Sequence, residues 1–399
     1  MRILYFSPRD CWPLTTGARL RDYHLARQLA RHADVTYMGF ASDPAATRIV
    51  RERVGADGEI DQITVPRAAG YSIPNILLGI AGPLPIPVLN YKTKPMEAEL
   101  ARVLSDGSWD LVQMEGVHLH SYIPVIRGAT SQPRLICDWH NIESELMGRF
   151  SENRATPLAK RLYGKRTAAL LGRLEGNLLE ACDAHLVCSE RERAILLARR
   201  PRASIHVAGN GVDVAYFSSG EAKPATPPRI VFAGSMDYHA NIDAAVYFAN
   251  QIWPLIRGAS PTLQFMIVGS RPAPEVRALS AIAGISVTGT VPDMRPYYRD
   301  ASVVVVPLRV GSGTRLKVLE AMAAGVPVVS TPLGTEGIDF TEGRDLITAA
   351  NPSDFATAVL TLVNNANRGK ELAAAGRNLV CAKYDWDIIG ARLFEFYGQ

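Results

Sequence analysis

Three groups of residues in this 399-residue chain have types and spacings suited to chemistry. The first is the run Gly311-Ser312-Gly313-Thr314-Arg315-Leu316-Lys317-Val318-Leu319-Glu320, which follows an apolar, strand-like stretch at 303–306 and opens a helix. Glycines let a ligand approach the backbone closely, and the free N–H groups and positive end of a helix favour a diphosphate there. Arg315 and Lys317 add formal positive charge where intrinsic helix energetics would favour acids, which points to an anion; the alternative is a surface ion pair of Lys317 with Glu320, one turn on. The other two groups are Glu115-Gly116-Val117-His118-Leu119-His120 and Asp138-Trp139-His140-Asn141-Ile142-Glu143, each just beyond an apolar run. Acids and imidazoles at strand ends are where proton-transfer groups are commonly held. His118 and His120 read rather as partly exposed helix residues.

Positioning these groups falls to short apolar, β-branched runs alternating with longer amphipathic segments, the pattern of βα units wound around a parallel sheet. In the first half the expected strands are 3–6, 35–40, 63–65, 111–114, 135–137, 185–188 and 205–207, with helices such as 18–31, where Leu20, Tyr23, Leu25, Ala26 and Leu29 recur at helical spacing. The second half repeats the pattern with strands at 230–233, 265–268, 286–287, 303–306, 326–330 and 346–348. Between the halves, residues 218–228 hold Gly220, Pro224, Pro227 and Pro228, which is linker chemistry. The expected fold class is α/β: two Rossmann-like, doubly wound parallel-sheet domains facing a cleft. They cover residues 1–215 and 216–382, and 383–399 form a last helix. Ligands of such sheets bind beyond the carboxyl ends of the strands, where all three groups fall. Asp385-Trp386-Asp387 precedes that last helix, so its D-x-D spacing reads as helix capping rather than metal binding.

Hydrophobic residues at 47% and charged residues at 21% exclude disordered and collagen-like chains. The formal charge of +4 sits wholly in residues 1–215, where 155–202 carry ten basic residues against five acidic ones. That face could rest on anionic lipid or be an ordinary solvated pair of helices; nucleic acid is disfavoured because no recognition module accompanies the charge. Five cysteines without a C-x-x-C pair suggest neither a disulfide framework nor zinc, and fit a reducing cytoplasm. Residues 71–91 have the length of a membrane span but contain Pro74, Pro83, Pro85 and Pro87, so they read as a flap with short helical pieces. The flap packs on the first core or, alternatively, touches membrane or acceptor. No G-x-G-x-x-G follows the first strand of either half, which argues against a dinucleotide-dependent dehydrogenase.

The run 311–330 resembles the donor-binding motif of glycosyltransferase family 4. Asn210-Gly211-Val212-Asp213, Val268-Gly269, Gly289-Thr290-Val291-Pro292-Asp293 and the stretch 301–307 are similar to further phrases of that family, in its order and spacing. The resemblance covers nearly the whole chain and implies a GT-B fold. It also implies transfer of a sugar from a nucleotide-diphosphate donor, with retention, without metal or other cofactor. By the family pattern Glu320 matches the glutamate that contacts the ribose, while the sugar-contacting glutamate falls at Ser312, so Gly313 and Thr314 are expected to supply that contact. The cations the family places after the first strand of this domain are missing from the segment that begins Gly234-Ser235; Arg315 and Lys317 are expected to replace them. The base is expected against Gly289 and Val291. On the acceptor side the resemblance points to Glu115 as the base, His140 as its orienting partner and Asp138 in support, with Gly17 and Asn210 near the acceptor. A glycan or lipid-linked acceptor in bacterial exopolysaccharide assembly, in the cytoplasm or on the inner face of its membrane, follows by analogy. Two rivals share the fold: a non-hydrolysing nucleotide-sugar epimerase and a catalytically silent nucleotide-sugar-binding protein.

Overall fold

β1 (Arg2–Phe6) is buried from Ile3 onward, as a strand covered on both faces of a parallel sheet must be. It lies inside a sheet with β2 (Asp34–Phe40), β3 (Val50–Val54), β4 (Ile60–Val65), β5 (Leu111–Glu115), β6 (Arg134–Trp139), β7 (Ala184–Val187) and β8 (Ile205–Val207). The order is β3-β4-β2-β1-β5-β6-β7-β8, so the strand order reverses between β1 and β5. Pairing is parallel except for β3, which runs antiparallel to β4. β3 was not among the expected strands, because Val-Arg-Glu-Arg-Val exposes its three central residues and lacks an apolar run. It is an edge strand, and charges there discourage further pairing.

A second sheet, β11-β10-β9-β12-β13-β14, is parallel throughout. Its strands are β9 (Arg229–Ala233), β10 (Gln264–Val268), β11 (Ile285–Val287), β12 (Val303–Val306), β13 (Val328–Ser330) and β14 (Ile347–Thr348). Here the order reverses between β9 and β12. The computed structural model describes residues 1–398 apart from positions 15, 44, 56–57, 68–71, 153–156, 219–224 and 312–314 and the side chains of 73 and 74.

The chain divides into two compact units, Met1–Gly209 with Gly390–Gln399, and Asn210–Ile389. This division differs from one at 215, and the reason is local. Val212 forms a parallel bridge with Asp385, and Val212 and Val214 are buried in the second core, which ties the stretch after Gly209 to the second unit. The last helix, Trp386–Tyr397, begins in the second unit and ends in the first, where the Tyr397 hydroxyl donates to Gln113 Oε1. The proline-rich stretch contains two short helices, Ile73–Ala81 and Ile86–Leu89, each with a proline in its first turn. That is where proline costs a helix nothing, since the N–H it lacks has no intrahelical partner there.

Candidate active site

The reversal point of the first sheet carries a buried cluster of ions. Ser7 and Arg9 follow β1, Glu115 ends β5, and Asp138 is its register partner on β6, with His140 just beyond. The helix Gly17–Ala30, capped by Thr16 Oγ1 accepting from Arg19 N, turns Arg21 and Asp22 inward. Asp22 shares the helix face of Leu25, Ala26 and Leu29, which is why the core swallows it. Its carboxylate is fully buried and satisfied. Oδ2 accepts from Ser7 Oγ at 2.9 Å, Arg9 Nη1 at 3.0 Å and the Tyr37 hydroxyl at 3.0 Å. Oδ1 lies 2.8 Å from His140 Nε2, and the same nitrogen lies 2.7 Å from Glu115 Oε2. Gln113 Nε2 donates to the other Glu115 oxygen at 3.0 Å. Arg21 Nη2 binds both oxygens of Asp138 at 2.9 Å.

These contacts set the charge state. Burial pulls the imidazole of His140 down, but Glu115 and Asp22 outweigh it and hold His140 up at about 9. Asp22 and Glu115 thus face Arg9 and protonated His140, while Asp138 faces Arg21; burial and Glu115 raise Asp138 to about 7, against the pull of Arg21 and His140. Ligand-type atoms of Asp22, Glu115 and His140 lie within 4.8 Å of one another, a spacing a small cation could bridge once His140 lost its proton. Arg9 and the imidazolium already supply positive charge there. A cavity of about 90 Å³ opens on the cluster, lined by Arg9, Ala18, Glu115, Gly116, His118, His140, Asn141 and Glu143. Burial pushes Glu143 up, with Glu175 adding to it, while burial lowers His118 to about 4, helped by Arg9 and His140. The cavity therefore presents a neutral imidazole, an acid with raised pKa and a guanidinium around a charged pair.

Glu115 and His140 are thus brought together, Asp138 is bound to Arg21, and Asp22 shares His140 Nε2 with Glu115. Gly17 only opens its helix; Ala18 lines the cavity. His118, read from sequence as a helix residue of no special role, lines it too. Arg21 and Asp22 escaped sequence reasoning, and Glu143 stood in the third group without a role of its own. A signal existed for Asp22: an acid at helical spacing with Leu25, Ala26 and Leu29 interrupts an apolar stripe.

The reversal point of the second sheet gathers another group. Gly234 follows β9 at φ +154°, and a Cβ there would lie 2.8 Å from Lys317 Nζ and 2.7 Å from Asn241 Nδ2. The positive φ favours glycine there, and the missing Cβ leaves room for both side-chain ends over the backbone. Lys317 Nζ donates to Asn241 Oδ1 at 2.7 Å and sits 4.4 Å from the centre of the Phe232 ring. Its hydrogen bond therefore goes to a neighbouring helix and not to Glu320. Burial and Arg315 bring the ammonium down to about 7, against the pull of Glu320. Glu320 instead accepts from the Tyr298 hydroxyl at 2.8 Å. Burial raises its pKa, against Tyr298 and Lys317. Arg315 is buried at the start of the helix Leu316–Ala323, with its guanidinium against Gly311. Ser235 Oγ lies 3.3 Å from Ser270 Oγ, beyond β10. Gly289 and Val291 follow β11, the edge strand two positions from β9. Ser312, Gly313 and Thr314 lie outside the described residues, and Asn210 is the first residue of the second unit. Asn241 and Tyr298 were missed, because nothing in their local sequence distinguishes them.

The sequence profile of Glycosyltransferase Family 4 matches residues 17–216, half of the chain, and that of Glycosyl transferases group 1 matches residues 227–365. The chain belongs to glycosyltransferase family 4. Relatives of this family-4 chain include an uncharacterized protein of the cps region of Klebsiella pneumoniae, 23% identical over 42% of this chain and 45% of the relative. A phosphatidyl-myo-inositol mannosyltransferase of Mycobacterium tuberculosis is 27% identical over 47% of this chain and 52% of its own length. The chain spans about half the length of the curated relatives it matches. Among solved structures, sucrose-phosphate synthase from Thermosynechococcus elongatus superposes with a TM-score of 0.70 at 18% identity, covering 100% of this chain and 99% of that one. Anabaena HepE in complex with UDP and glucose gives 0.65 at 12% identity, over 99% of each chain. The fold is GT-B, two parallel-sheet α/β domains as expected.

Proposed function

We propose that this family-4 chain transfers a sugar from a nucleotide-diphosphate donor to a glycan or lipid-linked acceptor in bacterial polysaccharide assembly, with retention and without a metal. The observation that carries the reading is the meeting of Gly234, Lys317 and Asn241 at the reversal point of the second sheet, beside buried Arg315. A bare backbone approach with an ammonium above it suits a pyrophosphate, whose charge must be neutralised as the sugar departs. Lys317 and Arg315 take that role, standing in for the cations missing after β9. Glu320, fixed by Tyr298, is assigned to the ribose hydroxyls.

In the first unit the acceptor hydroxyl enters the cavity, and Glu115 receives its proton. His140, held between Glu115 and Asp22, fixes that carboxylate in place, and Asp138 acts through Arg21. The reaction belongs in the cytoplasm, at the inner membrane face if the acceptor is lipid-linked. No helix among the described residues is long and apolar enough to cross a membrane.

The test is a thermal-shift screen of UDP, GDP, ADP and their sugars, followed by product analysis with the stabilising donor and glycan or lipid-linked acceptors. A glycosylated acceptor is expected. Release of a free, altered nucleotide sugar supports the epimerase instead, and binding without turnover supports a silent binder. Arg315→Ala is expected to weaken donor binding in calorimetry; unchanged affinity removes Arg315 from the donor site.

A further inference from the structure

The first unit exposes apolar side chains that its fold does not explain. On the helix Ile73–Ala81, Gly79 abuts Ile86 so closely that a Cβ would overlap it, which fixes that side of the helix inward. At 100° per residue the opposite side carries Leu77 and Ala81, flanked by Leu78 and Ile80. Leu77 is 63% exposed, Leu78 55% and Ile80 52%. The long helix Leu158–Ala181 reaches the end of the short helix through Arg166, which donates to Gly79 O at 3.3 Å and to Gly82 O at 2.8 Å. Leu162 and Leu158, one and two turns before Arg166 on the same stripe, are 59% and 68% exposed. Soluble surfaces carry scattered single leucines, but two such clusters on helices linked through Arg166 mark an interaction site.

The charges around it have one sign. From 72 to 96 there is no acid, and Lys92 and Lys94 are exposed; from 157 to 174 there is again no acid, and Lys160, Arg161, Lys165, Arg166 and Arg173 occur. Arg191, Arg193, Arg199 and Arg200, the basic residues further along, are paired with Glu145, Glu190, Glu175 and Glu180. Among the described residues none forms an ion pair with Lys160 or Lys165. Exposed leucines ringed by lysines match an interface with acyl chains below and anionic headgroups above.

We infer that Leu77, Leu78, Ile80, Leu158 and Leu162, with Lys160 and Lys165, form a docking surface for an anionic lipid bilayer. The apolar side chains enter the headgroup boundary and the lysines meet the phosphates. This surface lies on residues outside the Asp22–Glu115–His140 cluster, and its test reads lipid binding rather than turnover, so its failure leaves the proposed reaction standing.

The experiment is co-sedimentation of the full chain with vesicles of phosphatidylcholine alone and of phosphatidylcholine mixed with phosphatidylglycerol, at low and high salt. Binding is expected to the mixed vesicles and to fall with salt. Lys160→Glu/Lys165→Glu should weaken it by about tenfold or more, since each basic residue near an anionic surface contributes appreciably. Leu77→Gln/Leu158→Gln should weaken it at both salt concentrations, because its effect is not electrostatic. Circular dichroism melts like the parent's show that the variants remain folded. Absence of binding to the mixed vesicles at low salt overturns the inference, as does equal binding by parent and both variants. Sedimentation velocity in the absence of lipid covers the other occupant: a dimer that Leu77→Gln/Leu158→Gln dissociates assigns the surface to a second copy and overturns the inference.

Discussion

His140 gives the most direct test of the buried cluster. Its imidazole stands between the carboxylates of Asp22 and Glu115 at 2.8 and 2.7 Å, with only 17% of the side chain exposed, and it titrates at about 9 instead of 6.5. A displacement of that size, at about 1.4 kcal/mol per pH unit, corresponds to about 3 kcal/mol of folding free energy. Because the folded value is raised, this contribution is present in full below the unfolded value of 6.5 and is lost as pH rises through about 9. His140→Gln keeps a polar side chain but cannot titrate, so it removes that part of the pH dependence while leaving two carboxylates short of a cation. The assay is urea unfolding of parent and variant across this pH range, with the parent's histidine rings followed by NMR in the native state. The parent should lose about 3 kcal/mol more than the variant between a pH below 6.5 and one well above 9. A ring signal for His140 titrating near 6.5, or two stability profiles that run parallel, would refute the reading of the cluster as a balanced set of ions.

Two further predictions concern the other buried ions. Lys317, brought down to about 7 by burial and Arg315, carries its charge below that pH. Calorimetry with UDP or GDP should therefore show binding that weakens as pH rises past 7, and Lys317→Met should weaken binding by roughly 10- to 100-fold at acidic pH, the worth of a charge-assisted hydrogen bond. Identical constants on both sides of pH 7, in parent and variant alike, separate Lys317 from the diphosphate. Above pH 7, where Asp138 carries its charge, Arg21→Met strands it without its bidentate partner and should cost about 3–5 kcal/mol in chemical denaturation, most of it recovered in Arg21→Met/Asp138→Leu. A single variant as stable as the parent means that Asp138 is satisfied by other groups.

The fold was legible because its signals are local. Each buried parallel strand needs an apolar run, and each helix between strands needs an apolar stripe, so Ile3–Phe6 within β1 and the stretch Val303–Val306 could be read directly from residue type. The stretch 50–54 could not, since an edge strand satisfies its backbone on one side with little burial.

For the candidate sites, the sequence alone determined where residues of chemically suited types fall: Glu115 at the end of β5, His140 beyond β6, and Gly311, Arg315, Lys317 and Glu320 beyond β12. The run 311–330, with the phrases at 210–213, 268–269, 289–293 and 301–307, carried the resemblance to the family to which the chain belongs. Tertiary structure decided the partners. Asp22 meets His140 across 118 positions, Lys317 turns to Asn241 across 76, and Glu320 is held by Tyr298 across 22. No periodicity encodes these meetings, because they follow from the order in which strands assemble: placing β1 beside β5 puts Arg9 and the helix bearing Asp22 over Glu115, and placing β9 beside β12 puts Gly234 under Lys317. Once the charges are buried together, low local polarity makes each depend on its neighbours, and only then do a histidine that holds its proton to about 9 and a lysine that yields it near 7 acquire those properties.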